Sequence, residues 1–239
     1  MAVLLLTALL GGCASGHDQE PAATPSASSS VLGEGASERL LRTRAMLADQ
    51  SDFVVEGTID VGNARQELNV QVDTDTASFE ADVAMPAPGG DRFTITMLRT
   101  RGMTWVKAPP EYWVMNGYTE AGAESAAGRY VAFEVAAGER LAEPYNFGRL
   151  ISRLRTPSLR YSPDGSSECL TGTCDTYRVG RSDDAPLMYV PTSDECGEEK
   201  CPALILESRT EGISALVRVY PTDDVQIDYP DPEQVLQAR

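Results

Sequence analysis

Between residues 53 and 107, apolar side chains recur at every second position. Leu68, Val70 and Val72 keep strict period two, as do Phe79, Ala81 and Val83, and again Phe93, Ile95 and Met97. That spacing turns one face of a strand toward a core and the other toward water. Residues 53–61 are more continuously apolar, and Gly57 within them predicts a strand with a bend. Pro86-Ala87-Pro88-Gly89-Gly90 is a turn-forming stretch, and Arg101-Gly102 turns the chain into Met103-Thr104-Trp105-Val106-Lys107. The prediction is a meander of antiparallel strands. Further strands are predicted at 159–161, 176–179, 187–190, 203–207, 215–220 and 225–229.

Helical spacing is confined to a few places. Leu40, Leu41, Met46 and Leu47 predict a helix with one buried side, beginning with Ser37 as N-cap and ending near Gln50. Residues 114–127 have small and apolar residues at helical spacing, weakened by Gly117 and Gly122. Phe147, Leu150, Ile151 and Leu154 line one side of a clearer helix that Pro157 ends. Strands in series, with a few helices and no regular β-α-β alternation, predict an α+β domain built on a large antiparallel sheet.

The start of the chain follows another logic. Residues 2–10 form an uncharged apolar run, far shorter than the roughly 20 residues needed to cross a bilayer. Gly11, Gly12 and Cys13 follow directly. This is the layout of a secretory leader, and Leu10-Gly11-Gly12-Cys13 resembles the bacterial lipobox, which implies cleavage before Cys13 and a diacylglyceryl group on its thiol. No Lys or Arg precedes the run, although export signals normally carry basic residues there; a start codon assigned downstream of a basic segment would account for it. Residues 14–34, rich in Ser, Pro, Ala and Gly, read as a flexible linker that would hold the domain roughly 25 Å from its anchor. The expected organisation is a leader over 1–12, a lipidated Cys13 and linker over 13–34, and one domain over 35–239. The expected location is the extracytoplasmic face of the cell membrane.

Export changes how the remaining cysteines are read. Cys169, Cys174, Cys196 and Cys201 form two pairs of C-x4-C spacing, and an even count in an exported chain points to disulfides. If the strand-like runs after Cys174 and Cys201 pair antiparallel, those two cysteines lie at opposite ends. The favoured pairing is therefore Cys169–Cys174 and Cys196–Cys201, each closing a short loop that contributes only about 2 kcal/mol. The competing reading, a four-cysteine zinc site, stands at the edge of ligand spacing and is disfavoured where thiols oxidise. No metal is expected.

Charge and motif content narrow the function classes. A net charge of −16 argues against a nucleic-acid backbone or an anionic lipid surface as an electrostatic partner. The only histidine, His17, lies in the linker, where it cannot be held as the base of a hydrolytic triad. G-x-S-x-G, Walker and G-x-G-x-x-G motifs are missing from the chain. Asp183-Asp184, Glu198-Glu199 and Asp223-Asp224 sit in turn-like stretches and read as solvated loops. Pro109-Pro110-Glu111-Tyr112-Trp113 reads either as an exposed aromatic contact site or as an aromatic plug under a turn. No catalytic residue and no cofactor is expected.

From residue 37 to about 160 the chain resembles the LppX/LprG lipoproteins of actinobacteria. The resemblance rests on the lipobox cysteine, the linker, the opening helix, the meander and a central signature. Here that signature reads Trp105-Val106-Lys107-Ala108-Pro109, then Trp113, a small-residue helix, and Gly128-Arg129-Tyr130-Val131. Members usually have Lys and Trp where Arg129 and Tyr130 stand, and the four later cysteines fall outside the family pattern. The resemblance implies a strongly curved antiparallel sheet, a half-barrel like that of the LolA lipoprotein carriers, wrapped around helices with an apolar cavity that holds lipid in some members. Phe93, Ile95, Met97, Met103 and Trp105 are the candidate cavity residues, although a packed core gives the same alternation. The expected function is thus a non-enzymatic, anchored envelope lipoprotein that carries a lipid or lipoglycan, with an envelope transporter as a further partner. The alternative is a surface-tethered interaction lipoprotein with a filled core and no cargo.

Overall fold

The computed structural model describes residues 32, 35–87, 90–169, 172–182, 185–192, 204–210 and 213–237. The expected leader, Cys13, His17, the Cys196–Cys201 pair and two acidic pairs, Asp183-Asp184 and Glu198-Glu199, lie outside the described residues.

The chain opens with α1 (Ala36–Asp49), followed by β1 (Asp52–Val61), β2 (Ala64–Asp73), β3 (Ser78–Pro86), β4 (Arg92–Thr100) and β5 (Met103–Lys107). Three short elements come next: α2 (Pro110–Met115), α3 (Glu120–Ala126) and β6 (Tyr130–Phe133). Then come α4 (Val135–Ala142), a 3-10 turn (Glu143–Tyr145) and α5 (Phe147–Leu154). The last part holds β7 (Tyr161–Cys169), β8 (Gly172–Val179), β9 (Leu187–Pro191), β10 (Leu204–Thr210), β11 (Ile213–Thr222) and β12 (Val235–Gln237). The twelve strands of the described residues form one open sheet, in the order β12-β6-β5-β4-β3-β2-β1-β11-β10-β9-β8-β7. Every pairing is antiparallel except the parallel β12–β6 pair. The fold is α+β, as the serial strands predict.

One face of the sheet carries the core. Phe53, Val55, Val70, Val72, Phe79, Val83, Ile95, Met97, Val106, Val217 and Val219 are buried there together with Leu47, Trp113, Phe147, Ile151 and Leu154 from the helices. Fully burying such a side chain contributes about 1.5–3 kcal/mol before entropy is set against it. The opposite face of the central strands is polar and laced by cross-strand contacts, such as Asn69 to Glu56 and Thr96 to Asp82. At Gly57 strand β1 runs close against the β11 backbone. A Cβ there would collide with the Leu216 carbonyl oxygen and lie 2.8 Å from Val217 Cα, so the expected bend is a site of backbone contact with β11.

Several local expectations are corrected. Helix α1 begins two residues earlier than predicted, with Gly35 (φ 75°) as N-cap and Ser37 inside the helix. Leu41 is exposed, whereas Leu40, Met46 and Leu47 pack on the core as predicted and Thr43 joins them on the buried side. The predicted 114–127 helix is two helices, because Gly117, at φ 85°, adopts the left-handed conformation that breaks the run. The strand predicted at 159–161 runs from Tyr161 to Cys169. Residues 225–229, predicted as a strand, form an extended tail outside the sheet. The Cys169–Cys174 disulfide is present and ties the β7–β8 hairpin.

The tail runs back over the polar face of the sheet. Its Ile227 and Val235 pack on a second cluster, Leu98, Trp105 and Ala132, with Met103 and Tyr130 beside it. Tyr229 meets Trp105 edge-on at 5.7 Å, and the Arg101 guanidinium sits 5.3 Å over the Tyr229 ring.

Candidate functional site

The five candidate cavity residues divide between the two faces. Ile95 and Met97 are buried in the main core, with Phe93 half-buried against it, whereas Met103 and Trp105 belong to the cluster beneath the tail. The reason is register. Arg101 (φ 48°) and Gly102 (φ 78°) form a two-residue turn with both residues in the left-handed region. This pairs Thr100 with Met103 and Leu98 with Trp105. Odd positions of β4 therefore share a face with even positions of β5, and Met97 faces the helices beside Val106. These five residues cannot line one cavity.

The Pro109–Trp113 stretch is resolved in favour of the plug. Tyr112 and Trp113 are buried, Trp113 Nε1 donates to the Ala108 carbonyl at 3.2 Å, and the Trp113 ring packs against Tyr112, Tyr118 and Phe133. Burial pushes the Tyr112 hydroxyl up to about 12. Asp223 and Asp224 are exposed, as a solvated loop would have them.

Open space begins at α5. The helix is capped by Asn146, whose side chain accepts from the Arg149 backbone N–H. Gly148 lets it approach the sheet, since a Cβ there would stand 3.0 Å from Val72 Cγ1. Phe147, Ile151 and Leu154 point into the core, while Arg149 and Arg153, one turn apart, are exposed. A groove of about 310 Å³ lies between α5, the preceding 3-10 turn and strands β1, β10 and β11. Ile59, Phe147, Leu150, Ile213, Ala215 and Pro144 line its apolar part; Glu143, Asn146, Arg149, Arg153 and Ser208 supply its polar part. Arg149 is 3.5 Å from Glu143, and Arg153 has no ion-pair partner among the described residues.

A second groove, of about 580 Å³, shares Glu143, Asn146 and Arg149 with the first and adds Arg99, Glu139 and Ser152. Below this turn, Tyr145 donates to Gln66 Oε1 at 2.6 Å, with both residues buried. Burial raises the Tyr145 hydroxyl to about 12 although that hydrogen bond pulls it the other way. The arrangement can bind a molecule with an apolar portion and an anionic or polar end. The apolar stripe of α5 is visible in its sequence; its arginines were missed, and their signal is the i, i+4 spacing beside that stripe. No chemical pattern marks Ile213 or Ala215, which reach the groove by strand pairing alone. Among the described residues no cluster of His, Cys, Asp or Glu could hold a metal ion, and no helix is long and apolar enough to cross a membrane.

No family model matches the chain, and no curated protein matches it. Among solved structures, an uncharacterized conserved protein from Thermus thermophilus is similar at 16% identity, covering 86% of this chain and 100% of that one, with a TM-score of 0.38. A likeness at that level carries no argument about site or function.

Proposed function

We propose that this protein is a membrane-anchored envelope lipoprotein that binds a single-chain anionic amphiphile without chemical turnover. The observation that carries the reading is the groove beside α5, where Ile59, Ile213 and Ala215 form an apolar wall next to Arg149 and Arg153. Its volume of about 310 Å³ is at the low end of small-molecule sites, about 300–1,000 Å³. One acyl chain suits that space better than the several chains of a large lipoglycan. Burial of the chain supplies affinity at roughly 25 cal/mol per Å² of apolar area, and the exposed Arg153, which has no ion-pair partner among the described residues, attracts a carboxylate or phosphate head. Lipidation at Cys13 and a half-barrel carrier architecture belong to the same proposal, as does an envelope transporter that would hand over or receive the ligand.

The alternative, a tethered interaction protein with a filled core, draws on the packing of the helix-bearing face. Val55, Val70, Ala81, Val83 and Val106 there are fully excluded from solvent, so a ligand must sit beside the core and not inside it. The two readings separate by titration of the purified domain with a fluorescent single-chain fatty acid. Amphiphile binding predicts saturable one-to-one binding that Ala215→Phe, by filling the groove, weakens at least about tenfold and Arg153→Glu weakens severalfold. Absence of saturable binding, or binding that neither substitution alters, contradicts the proposal.

A further inference from the structure

Side chains of opposite charge line the second groove in two rows. Glu139 and Glu143 stand one helical turn apart at the end of α4, where the Glu143 backbone N–H donates to the Glu139 carbonyl. Arg149 opens the basic row, which Arg153 continues one turn along α5 into the first groove. Each helix is drawn onto the sheet through a glycine: a Cβ on Gly138 would lie 2.8 Å from Thr104 Cβ, and one on Gly148 would crowd Val72. Strand β4 adds Arg99, whose side chain is 14% exposed against 59% for Glu139. Its guanidinium reaches the Thr104 hydroxyl at 3.3 Å and Glu139 at 3.4 Å, and so steadies the Glu139 carboxylate at the groove.

A head group with negative charge alone would use only half of this lining. Drawn to Arg149, it would also meet Glu139 and Glu143, which repel it and disfavour such heads. An ammonium group on the same head makes both carboxylates its partners. The Arg149–Glu143 contact is long, at 3.5 Å, with side chains 62% and 60% exposed. A pair of that kind contributes little stability, so ligand charges displace it readily. The two grooves share Glu143, Asn146 and Arg149; a chain lying in the first therefore leads its head into the second.

On the amphiphile reading above, we propose that the second groove binds the head of the same ligand and that this head carries an amine besides a phosphate. The phosphate lies at Arg149 and Arg153, offering one free oxygen to each guanidinium. The ammonium lies beyond it, at Glu139 and Glu143. The groove's volume of about 580 Å³ leaves room for such a head.

Two single-chain lysophospholipids of equal net charge, one with a phosphoserine head and one with a phosphoglycerol head, supply the test. Each is titrated into the purified protein below its micelle concentration and at one ionic strength. The phosphoserine ligand is expected to bind at least about fivefold more tightly. Glu139→Gln and Glu143→Gln, both at exposed positions, should each bring that ratio close to one. O-phosphoserine without a chain should bind at least about tenfold more weakly than the lysolipid. Equal binding of the two lysolipids overturns the amine-bearing head and leaves the amphiphile reading standing, whereas absence of saturable binding of either overturns both. A preference retained in both variants overturns the assignment of the amine to these carboxylates. O-phosphoserine binding as tightly as its lysolipid overturns the continuity of the two grooves in one ligand.

Discussion

Arg39 on α1 and Asp175 on β8, 136 residues apart, meet as a buried ion pair. Arg39 Nε donates to Asp175 Oδ2 at 2.9 Å and its terminal NH2 to the same oxygen at 2.5 Å. Asp175 is fully excluded from solvent, and the Ser166 hydroxyl donates to its second oxygen. One turn earlier in α1, the Ala36 carbonyl accepts the Tyr177 hydroxyl at 2.9 Å. The first helix is thereby fastened to the far side of the sheet, next to Cys174 and its disulfide. Asp175→Ala removes the carboxylate that Arg39 meets and should cost about 3 kcal/mol, the low end for a broken buried pair, because Arg39 keeps some access to water. Urea denaturation measures it; a cost below about 1 kcal/mol would show that the pair does not fasten α1.

Gly57→Ala should be among the most damaging small substitutions in the chain. Its Cβ would press on the backbone of Leu216 and Val217, which cannot move aside as a flexible side chain would. The β1–β11 ladder must separate locally, so a loss of several kcal/mol is expected where Gly→Ala on an open strand gains stability. Thermal unfolding of this variant beside Gly62→Ala, where the new Cβ meets nothing within 4 Å, compares it with a glycine substitution that causes no collision.

Stability should fall steeply in alkali. The Tyr112 and Tyr145 hydroxyls are raised to about 12 by burial, against an ordinary value of 10.0. Below pH 10 both are neutral in folded and unfolded chains, so nothing is lost there. Between pH 10 and 12 the unfolded chain ionises first, and each tyrosine removes about 1.4 kcal/mol of stability per pH unit. Tyr145→Phe should flatten this decline while costing about 1–3 kcal/mol at neutral pH, because Gln66 loses its hydroxyl donor. Denaturant melts at several pH values follow both effects.

Cys13→Ala should release the protein from membranes entirely. A chain of net charge −16 has no electrostatic hold on an anionic bilayer, so a lipid on this residue would be its principal attachment. Fractionation of cells that express each form is the check; a variant that stays in the membrane fraction would refute lipid anchoring at this position.

Much of the architecture was legible as alternation. The period-two runs at 68–72, 79–83 and 93–97 lie inside β2, β3 and β4, and the residue limits of β5 and α5 coincide with their sequence signals. What escaped was governed by longer-range forces. Residues 161–169 contain Pro163, Asp164 and Gly165 and look like a turn, yet they form an edge strand with a register shift at Pro163/Gly165, held by β8 and the disulfide. Residues 225–229 alternate like a strand, but Ile227 and Tyr229 pack on the cluster around Trp105 from above the sheet. The division of the candidate cavity residues between two faces has a simpler cause. Alternation within each strand was correct, while the parity between strands depends on the length of the Arg101-Gly102 turn. The groove combines α5 with strands distant in sequence, and no local pattern in β11 announces that neighbour.

Native mass spectrometry of the protein isolated from the membranes of its own host, followed by lipid extraction, tests the central proposal most directly. A population carrying one single-chain anionic amphiphile per domain, lost in Ala215→Phe, is the predicted result. A domain that is free of co-purifying amphiphile, or whose bound species is unchanged by filling the groove, would contradict it.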